Sequence, residues 1–411
     1  MLSEVRAAPY RSSQVISLSR GLLSLFVGFI ALVAAVAIPG CNRAGASELR
    51  ANPNGCGEPV SRIDNWPIAT PESVGLSKDA LCPLVEHFTK TPDDDLHAVL
   101  VARHGKLVFE QYFSGRDEEN GMVVGTTDFA PVVKHDERSV SKSVVSLMIG
   151  IAIDHGWIHS VDDPVMGFFP DYADLATPEK KKITIRDLLT MSSGIEWHES
   201  DVPYTSARNS EIIMNDADDP YRYALTPPMV TAPGKVFNYN SGSPELLGEI
   251  LRRKTATTVD ELARKMLFAP IGVTDVEWGK FDNGRPVSAA GLRLRPRDLL
   301  KVGQLILQHG NWNGKQVVST KWIDDATSPQ ITGEIGKNRF DYGYLFWIGR
   351  SVVNHRVVVW AAAEGLGGQR CFVIPALDMV VVTNAGLYES DRQGSVPFEI
   401  LNEYVIAAIE D

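Results

Sequence analysis

Short apolar stretches at both ends of the chain body predict β-strands. Residues 97–101 and 106–113 are rich in β-branched and aromatic side chains, and Gly105 between them fits a tight turn, so the two segments predict a hairpin. Four further apolar runs lie near the carboxyl end, at 344–348, 356–361, 370–374 and 379–383. Together these segments predict one antiparallel sheet.

The remaining body has a helical pattern. Residues 396–409 carry apolar side chains at helical spacing and predict a terminal helix that packs on the sheet. Between 159 and 284, helix-like segments alternate with long polar loops. We therefore predict a mixed α+β fold in which residues 70–158 and 285–411 form an antiparallel sheet flanked by helices, and 159–284 form an inserted, mainly helical domain.

Composition and charge narrow the possible functions. The chain has 411 residues, of which 44% are hydrophobic, so a large buried core is available. Its formal net charge is -11, and the chain beyond residue 41 carries 37 Lys and Arg against 50 Asp and Glu. Such a surface repels phosphate backbones, which argues against nucleic-acid binding.

The first 41 residues predict an export signal. Three arginines precede the segment 21–38, which has 18 residues and no charge. The sequence Ile38-Pro39-Gly40-Cys41 resembles a bacterial lipobox, which makes Cys41 a candidate lipidation site, although Pro39 departs from the motif. An uncleaved membrane anchor and an ordinary cleaved signal are the alternatives. All three place the body outside the cytoplasm, and 42–69 would act as a tether.

The other three cysteines are Cys56, Cys82 and Cys371. An odd number cannot pair completely within one chain. A bridge between Cys56 and Cys82 is one possibility in an oxidising compartment, and buried thiols at Cys82 and Cys371 are the other. Their spacing does not fit a metal site.

The first candidate for chemistry is Ser139, which opens the predicted helix 144–153. Lys142 follows three residues later and therefore lies on the same helix face, within reach of the serine hydroxyl. An ammonium beside a hydroxyl near the positive end of a helix dipole can activate a serine without histidine. The alternative role for Ser139 is a helix N-cap.

Two further segments add candidate groups. Tyr239 lies at a turn before a helical run, where it is either a packing residue or, beside a lysine ammonium, a phenol that deprotonates more easily and acts as a base. The segment Gly365-Leu366-Gly367-Gly368 lies between two strands. Its glycines permit a close approach that suits a backbone N–H aimed at an oxyanion, or they simply form a tight hairpin.

Taken together, the three segments resemble the serine β-lactamase and penicillin-binding-protein-like family, and within it the class C-like branch of esterases and 6-aminohexanoate-dimer hydrolases. Ser139-x-x-Lys142, the Tyr239 motif and the glycine segment occur in the order that this family uses. Four connecting segments agree, and they are 156–164, 183–194, 290–298 and 372–382. The resemblance runs from about residue 70 to the end.

The resemblance implies a β-lactamase/transpeptidase-like fold with the active site between the sheet domain and the helical domain. It implies that Ser139 is acylated, with Lys142 and Tyr239 as its catalytic partners and no metal or organic cofactor. It further implies an oxyanion hole made by the backbone N–H groups of Ser139 and Leu366. The substrate-binding positions implied are Ser241, Gly365 and Gly367.

Two departures from the family motifs bear on the substrate. Ser241 stands where the family has a substrate-binding asparagine, and Ala363-Glu364-Gly365 replaces a Lys-Thr-Gly strand motif. A lysine there helps to hold the carboxylate of a β-lactam, whereas Glu364 opposes it. Arg370, Arg293 or Arg295 could compensate. We therefore favour a small, less charged ester or amide substrate over a β-lactam or a peptidoglycan peptide.

The segment 197–223 contains several aromatic residues among acidic ones and predicts either a lid over the cleft or a loop pinned to the core. As a lid, with Glu196, Glu199 and Asp201, it would favour neutral or cationic substrates.

The sequence also argues against other enzyme classes. It lacks the G-x-S-x-G motif of a triad hydrolase, and His198-Glu199 begins a zinc motif without a second histidine. A catalytically silent envelope protein on the same fold is the remaining alternative.

Overall fold

The computed structural model describes residues 55–59, 64, 66–335 and 338–410. The predicted export segment with Cys41, and residues 42–54 of the predicted tether, lie outside the described residues. Within the described ranges, no helix is both long enough and apolar enough to cross a bilayer.

The strands of the described residues are numbered in chain order. They are β1 (Leu96–Arg103), β2 (Lys106–Tyr112), β3 (Ser114–Glu119), β4 (Met122–Asp128), β5 (His135–Asp136), β6 (Glu277–Trp278), β7 (Leu292–Leu294), β8 (Asn311–Trp312), β9 (Lys315–Gln316), β10 (Ile331–Ile335), β11 (Asn338–Tyr342), β12 (Trp347–Val353), β13 (Arg356–Gly365), β14 (Gln369–Ile374) and β15 (Met379–Ala385). Eight of them form one antiparallel sheet in the order β10-β11-β12-β13-β14-β15-β1-β2. The predicted hairpin is β1–β2.

The helices of the described residues are numbered in the same way. They are α1 (Lys78–Lys90), α2 (Val140–Asp154), α3 (Ile185–Leu189), α4 (Ser210–Asn215), α5 (Pro220–Leu225), α6 (Gly242–Thr255), α7 (Val259–Ala263), α8 (Pro296–Leu307), α9 (Thr320–Ala326) and α10 (Val396–Glu399). The chain continues from α10 as a π-helical segment, Ile400–Val405, so the predicted terminal helix is present but ends at Val405 rather than at residue 409.

The sheet is buried on both faces at its centre, in β1, β14 and β15, because these strands alternate between two hydrophobic cores. Ala98 and Leu100 of β1 belong to a core shared with α2 and α8, whereas Val99 and Val101 belong to a second core with α1 and the carboxyl-terminal helix. The predicted antiparallel sheet flanked by helices is thereby confirmed.

The central helix α2 is buried almost all round, because its residues from Val140 to Ala152 are apolar or small, apart from Lys142. It packs against α6, α7 and α9 on the helical side and against β13 and β14 of the sheet. The first turn of α2 therefore lies where the sheet meets the helices between 185 and 263. The predicted division of the chain into two domains at 159 and 284 stays a prediction.

The predicted strand at 344–348 begins too early. Leu345 has a left-handed backbone (φ 60°), and its N–H donates to the carbonyl of Leu189 while its own carbonyl accepts from the Ser143 hydroxyl. Residues 344–346 therefore fill the core beneath α2 and α3, and the strand starts at Trp347. Strands β10 and β11, at the sheet edge, did not emerge from the hydrophobic pattern.

The described part of the predicted tether lies against the body. Cys56 and Cys82 form a disulfide, Trp66 is buried, and Ile68 pairs with Leu107 of β2. Of the two possibilities for the cysteines, the structure therefore has the bridge, and Cys371 is a buried free thiol.

Candidate active site

Ser139 and Lys142 meet at the first turn of α2. The Lys142 ammonium donates to Ser139 Oγ at 2.9 Å and to the carbonyl oxygen of Ala289 at 3.1 Å. Ser139 occupies the N-cap position, but its hydroxyl makes no capping hydrogen bond. The alternative role as a helix cap is therefore not used, and the hydroxyl is left to Lys142 and to the cavity in front of it.

The turn that presents Ser139 is strained. Arg138 has a left-handed backbone (φ 51°), which costs a non-glycine residue about 1 kcal/mol or more. Its guanidinium pairs with Glu118, lies 3.8 Å from Asp136 and stacks over the ring of Tyr388 at 4.8 Å. These contacts hold the turn in place, so that Ser139 projects into the cleft rather than along the helix.

Tyr239 is the third predicted residue at this place. The Lys142 ammonium lies 5.1 Å from the centre of its ring, and its hydroxyl is near enough to Ser139 for the serine side chain to lower the pKa of the phenol. The ring also stacks on Trp347 at 5.9 Å. The loop before α6 thus places the phenol ring between the Lys142 ammonium and Trp347 of β12.

The expected easy deprotonation of Tyr239 is wrong for this site. Burial, followed by the negative charge of Glu199, raises the pKa of Tyr239 well above its usual value, and Glu211 and Glu364 act in the same direction. The Ser139 side chain lowers the pKa of Tyr239 but does not offset these effects. In the free protein Tyr239 is therefore a neutral phenol.

The two predicted oxyanion donors line the same cavity. Ser139 and Leu366 both border a space of about 160 Å³ at the start of α2. Among the described residues, neither backbone N–H makes a hydrogen bond with another backbone group. Two unused donors beside a nucleophile are what an oxyanion hole requires.

The glycines that flank Leu366 have a clear structural role, whereas their expected contact with substrate stays a prediction. A Cβ at Gly365 would lie 2.3 Å from the carbonyl oxygen of Glu137, so this glycine allows the strand to approach the nucleophile turn. Gly367 has φ 90°, and its N–H donates to Gln393 at 2.9 Å. Both glycines thus shape the turn that carries Leu366.

Ser241 is also not open to substrate. It is 1% exposed, its hydroxyl donates to Glu199 Oε1 at 2.7 Å, and its N–H donates to Glu199 Oε2 at 2.8 Å. The expectation of direct substrate contact is corrected accordingly. Ser241 instead fixes the loop that carries Tyr239.

Glu199 is the centre of a network that the sequence analysis missed. Besides Ser241, its carboxyl group accepts from the Trp197 indole at 2.7 Å and from the Tyr204 hydroxyl at 3.0 Å. Burial and then the neighbouring Glu199 raise the pKa of Glu211 to about 7, and Glu211 lines the Ser139 cavity. In the sequence, Glu199 is predicted only as part of an incomplete zinc motif and as one acid of a lid over the cleft.

Glu245 is a second carboxyl group that was missed. It is fully buried on α6 and accepts the N–H groups of Ser288 at 3.1 Å and Ala289 at 2.8 Å. Ala289 is the residue whose carbonyl accepts from Lys142. Burial raises the pKa of Glu245 to about 8, against the opposing effect of these backbone donors. The sequence does contain a signal for this group, because Glu245 is a charged residue within the predicted helical run 244–251, which is otherwise largely apolar.

The arginines considered as anchors for a substrate carboxylate are all paired with acids. Arg370 lies 3.2 Å from Glu364, its cross-strand neighbour. Arg293 pairs with Asp136 and Glu277, and Arg295 pairs with Asp298. None of these three side chains therefore supplies uncompensated positive charge.

The aromatic segment 197–223 is both anchored and part of the cavity wall. Trp197 and Tyr221 are buried in the core, as a pinned loop predicts, whereas Tyr204 and Glu211 line the Ser139 cavity. His198 lies on the surface with Asp201 and Glu196. In the described part of the chain, no cluster of three or more His, Cys, Asp or Glu residues is placed to hold a metal ion.

Comparisons with known proteins identify the family of this chain. The family model "Beta-lactamase" matches residues 96–394. The chain is 24% identical over 343 residues to 6-aminohexanoate-dimer hydrolase of Paenarthrobacter ureafaciens, across 79% of this chain and 81% of that protein.

Solved structures share the fold. A family VIII carboxylesterase superposes with a TM-score of 0.59 at 17% identity, over 80% of this chain and 96% of its own. A penicillin-binding protein homologue from Caulobacter crescentus gives 0.56 at 18% identity, over 76% and 93%. The resemblance predicted from the motifs is confirmed, and the chain belongs to the Beta-lactamase family of serine hydrolases.

Proposed function

We propose that this protein hydrolyses a small ester or amide through an acyl-enzyme on Ser139. The observation that carries the proposal is the 2.9 Å contact between Ser139 Oγ and Lys142 Nζ, at the edge of a cavity that also presents two unused backbone N–H groups. Nucleophile, proton-transfer partner and oxyanion donors are thus in one place.

The first half of the cycle acylates the serine. Ser139 Oγ attacks the substrate carbonyl carbon, and the N–H groups of Ser139 and Leu366 stabilise the negative charge that forms on oxygen. The serine proton passes through Lys142 and Tyr239 to the leaving oxygen or nitrogen, which departs as an alcohol or amine. Because Tyr239 is neutral in the free protein, it acts by accepting one proton while it gives up its own.

The second half of the cycle releases the acid. Water attacks the acyl-enzyme carbonyl, its proton moves to the same pair of side chains, and Ser139 leaves with a proton restored. The net reaction consumes one water and produces a carboxylic acid together with the alcohol or amine.

The charges around the cleft support a substrate without a carboxylate near the scissile bond. Arg370, Arg293 and Arg295 are each paired with an acid, and Glu364 occupies the strand position of the family's lysine. A charge-assisted hydrogen bond to a carboxylate contributes roughly 1.5 to 3 kcal/mol, which this site does not offer from those residues. We therefore rank esters and amides above β-lactams and peptidoglycan peptides. The 6-aminohexanoate-dimer hydrolase and the carboxylesterase among the similar proteins support the same order.

The test is turnover by the full chain, purified in mild detergent. The substrates are 4-nitrophenyl acetate, the 4-nitroanilide of 6-aminohexanoic acid and a chromogenic cephalosporin. Ser139→Ala is expected to lower kcat/KM by at least about 10⁴-fold. Ser146→Ala is the control, because Ser146 lies on the same helix with a buried hydroxyl that has no hydrogen-bond partner among the described residues.

Each outcome of this test bears on the proposal. Hydrolysis of the ester or anilide that depends on Ser139 supports it. Faster turnover of the cephalosporin than of both others reverses the substrate ranking. Equal activity of Ser139→Ala and the parent overturns the nucleophile assignment, and no turnover together with no labelling by a serine-directed phosphonate favours a silent scaffold.

We also propose that the protein is exported and tethered to the membrane through Cys41. The charge-free segment 21–38 and the lipobox-like sequence before Cys41 support this location, and so does the Cys56–Cys82 disulfide, because disulfides persist in oxidising compartments. Mass spectrometry of the mature amino terminus tests it, with Cys41→Ser as the variant. Recovery of an unacylated parent in the soluble fraction would contradict the lipid tether.

A further inference from the structure

A second and larger cavity lies beside the Ser139 cavity. Its volume is about 660 Å³, against about 160 Å³ for the space in front of the nucleophile. The two share Arg138 and Ala290 as walls. A group bound in the larger cavity is therefore separated from the Ser139 cavity only by these shared residues.

The inner wall of the larger cavity is apolar. Trp278, Phe281 and Val287 line it, and all three are buried. The Trp278 indole N–H donates to the Val287 carbonyl at 2.7 Å, so the polar atom of this ring is already satisfied. The aromatic surface that remains is suited to an apolar ligand.

The outer wall is the β3–β4 hairpin. Met122 and Val124 line the cavity although they are 42% and 53% exposed to solvent. Val123, between them on β4, is 61% exposed and does not line it. Val124 is the extra residue of a β-bulge opposite Asp117 and Glu118. Together with Met122, it leaves two large apolar side chains uncovered at the mouth of the cavity.

The charges near this cavity are either compensated or at its rim. Asp136 pairs with Arg293, and Arg138 pairs with Glu118. Glu119, Lys280 and Asp282 also line the cavity, but they are exposed. The interior therefore favours an uncharged occupant, because an unpaired charge would lose its hydration there.

Volume and continuity identify that occupant. Ligand sites typically measure about 300–1,000 Å³, so the Ser139 cavity alone is too small for a substrate much larger than its reacting group. We propose that the larger cavity binds an uncharged alkyl or aryl arm of the hydrolase's own substrate, and that Met122 and Val124 of the hairpin determine the preference for it. This inference rests on the proposed hydrolase function and names its substrate class.

The test compares two neighbouring substitutions on one strand. Val124→Trp places an indole in the cavity mouth, whereas Val123→Trp places the same group at a residue that does not line the cavity and is the matched control. Both positions are exposed, so the fold should tolerate either change. Parent and variants are assayed with 4-nitrophenyl acetate, butyrate and octanoate, and with ethyl and 2-naphthylmethyl acetate.

The expected result is a selective loss. Val124→Trp should lower kcat/KM for substrates with a large arm by at least about ten-fold and leave the smallest acetate within two-fold, while Val123→Trp behaves as the parent. A loss confined to the octanoate series assigns the arm to the acyl side, and one confined to the naphthylmethyl ester assigns it to the alcohol side. Equal profiles for both variants across all substrates overturn the inference.

A binding measurement separates this inference from the proposed function. The Ser139→Ala protein is titrated by calorimetry with 2-naphthylmethyl acetate, with and without Val124→Trp. Binding that Val124→Trp weakens at least five-fold supports the cavity assignment even if the parent hydrolyses none of the esters. Absence of binding to Ser139→Ala overturns the assignment even if the parent is an active esterase.

Discussion

The two sides of the active site are built in different ways. On one, which we call the helix side, Ser139 and Lys142 lie three residues apart on α2, and the helix itself brings Nζ to 2.9 Å from Oγ. On the other, which we call the carboxyl side, Glu199, Glu211 and Glu245 come from three separate segments. They act on the chemistry through Tyr239 and through the loop that holds Lys142.

The two sides differ in whether neighbouring or distant residues along the chain determine them. Helical spacing alone predicts that Lys142 lies beside Ser139, whereas the carboxyl side exists only after the loop 192–209 and α6 have packed. The helix side supplies the reacting groups and the carboxyl side sets their positions and protonation. Changes on the helix side should therefore cost the most activity, and changes on the carboxyl side should act through pH and positioning.

Lys142→Met is expected to have the largest effect of the changes beside the nucleophile. It keeps the length of the side chain but removes the ammonium that contacts Ser139, so kcat/KM for 4-nitrophenyl acetate should fall by about 10³ to 10⁴-fold. Lys180→Met is the control, because Lys180 is also buried and donates to backbone carbonyls, on the helical side of the molecule. Activity of Lys142→Met within three-fold of the parent would remove Lys142 from the proton transfer.

Tyr239→Phe is expected to lower kcat by about 10² to 10³-fold, because it removes the hydroxyl that passes the proton between Ser139 and the leaving group. Burial and Glu199 keep the pKa of Tyr239 well above its usual value, so the loss should be the same at every pH from 6 to 9. Tyr342→Phe is the control, since Tyr342 packs on the same Trp347 ring. If the loss of kcat in Tyr239→Phe grew steadily with pH, the parent would react through a phenolate. The prediction that Tyr239 deprotonates easily would then be correct.

The sheet and the helix side could be predicted because their signals are local. The hairpin at β1–β2 and the strands β13, β14 and β15 follow from short runs of β-branched and apolar residues bounded by turn residues, and the Ser139–Lys142 contact follows from helical spacing. The start of β12 could not be predicted, because Leu345 leaves the strand pattern to satisfy the Leu189 carbonyl and the Ser143 hydroxyl. Those partners are more than 150 residues away.

The carboxyl side was missed for the same reason. Nothing beside Glu199 in the chain indicates that it will bind Ser241, which is 42 residues distant. Ser241 was consequently assigned to substrate, although its hydroxyl is used inside the protein. The direction of the Tyr239 pKa was also wrong, because the sequence placed one lysine near the phenol but could not show the burial and the three acidic neighbours that outweigh it.

Glu245→Gln tests whether the two sides are connected, because the substitution is on the carboxyl side and its expected effect is on the position of Lys142 on the helix side. A carboxyl group accepts the N–H groups of both Ser288 and Ala289, whereas an amide has only one acceptor oxygen, so the Ala289 carbonyl should move away from Lys142. We expect kcat to fall by about 10 to 100-fold with little change in KM. An unchanged kcat would show that the loop keeps Lys142 in place without Glu245.

The same residue predicts a pH dependence of stability. Burial raises the pKa of Glu245 to about 8, so the folded protein retains a proton that the unfolded chain loses near its ordinary pKa. Its contribution to stability is present below about pH 4.5 and is lost as the pH rises to about 8. Urea midpoints at pH 5 and pH 8 should therefore lie closer together in Glu245→Gln than in the parent.

Glu249→Gln is the control of opposite sign on the same helix. Although burial opposes it, hydrogen bonds from Arg252 and Arg253 lower the pKa of Glu249. Its contribution is present at neutral pH and is lost as the pH falls through that lowered pKa, so Glu249→Gln should destabilise the protein at pH 5 and pH 8 alike. A midpoint difference that narrows equally in both variants would contradict the assignment to Glu245.

Glu211 should give the smallest effect, a few-fold change in substrate preference with pH. Burial and then Glu199 raise its pKa to about 7, so this cavity-lining group is neutral at pH 6 and charged at pH 8. The ratio of kcat/KM for a choline ester to that for its uncharged 3,3-dimethylbutyl analogue should therefore rise about three- to ten-fold between these pH values, because an ionised carboxylate attracts the cation. Glu211→Gln should hold the ratio constant. Glu389→Gln should keep the rise, since Glu389 borders the same cavity but is exposed and lies 3.6 Å from Arg116. A rise that persists in Glu211→Gln would show that another group titrates. It would also contradict the claim that the carboxyl side selects the charge of the substrate that reaches Ser139.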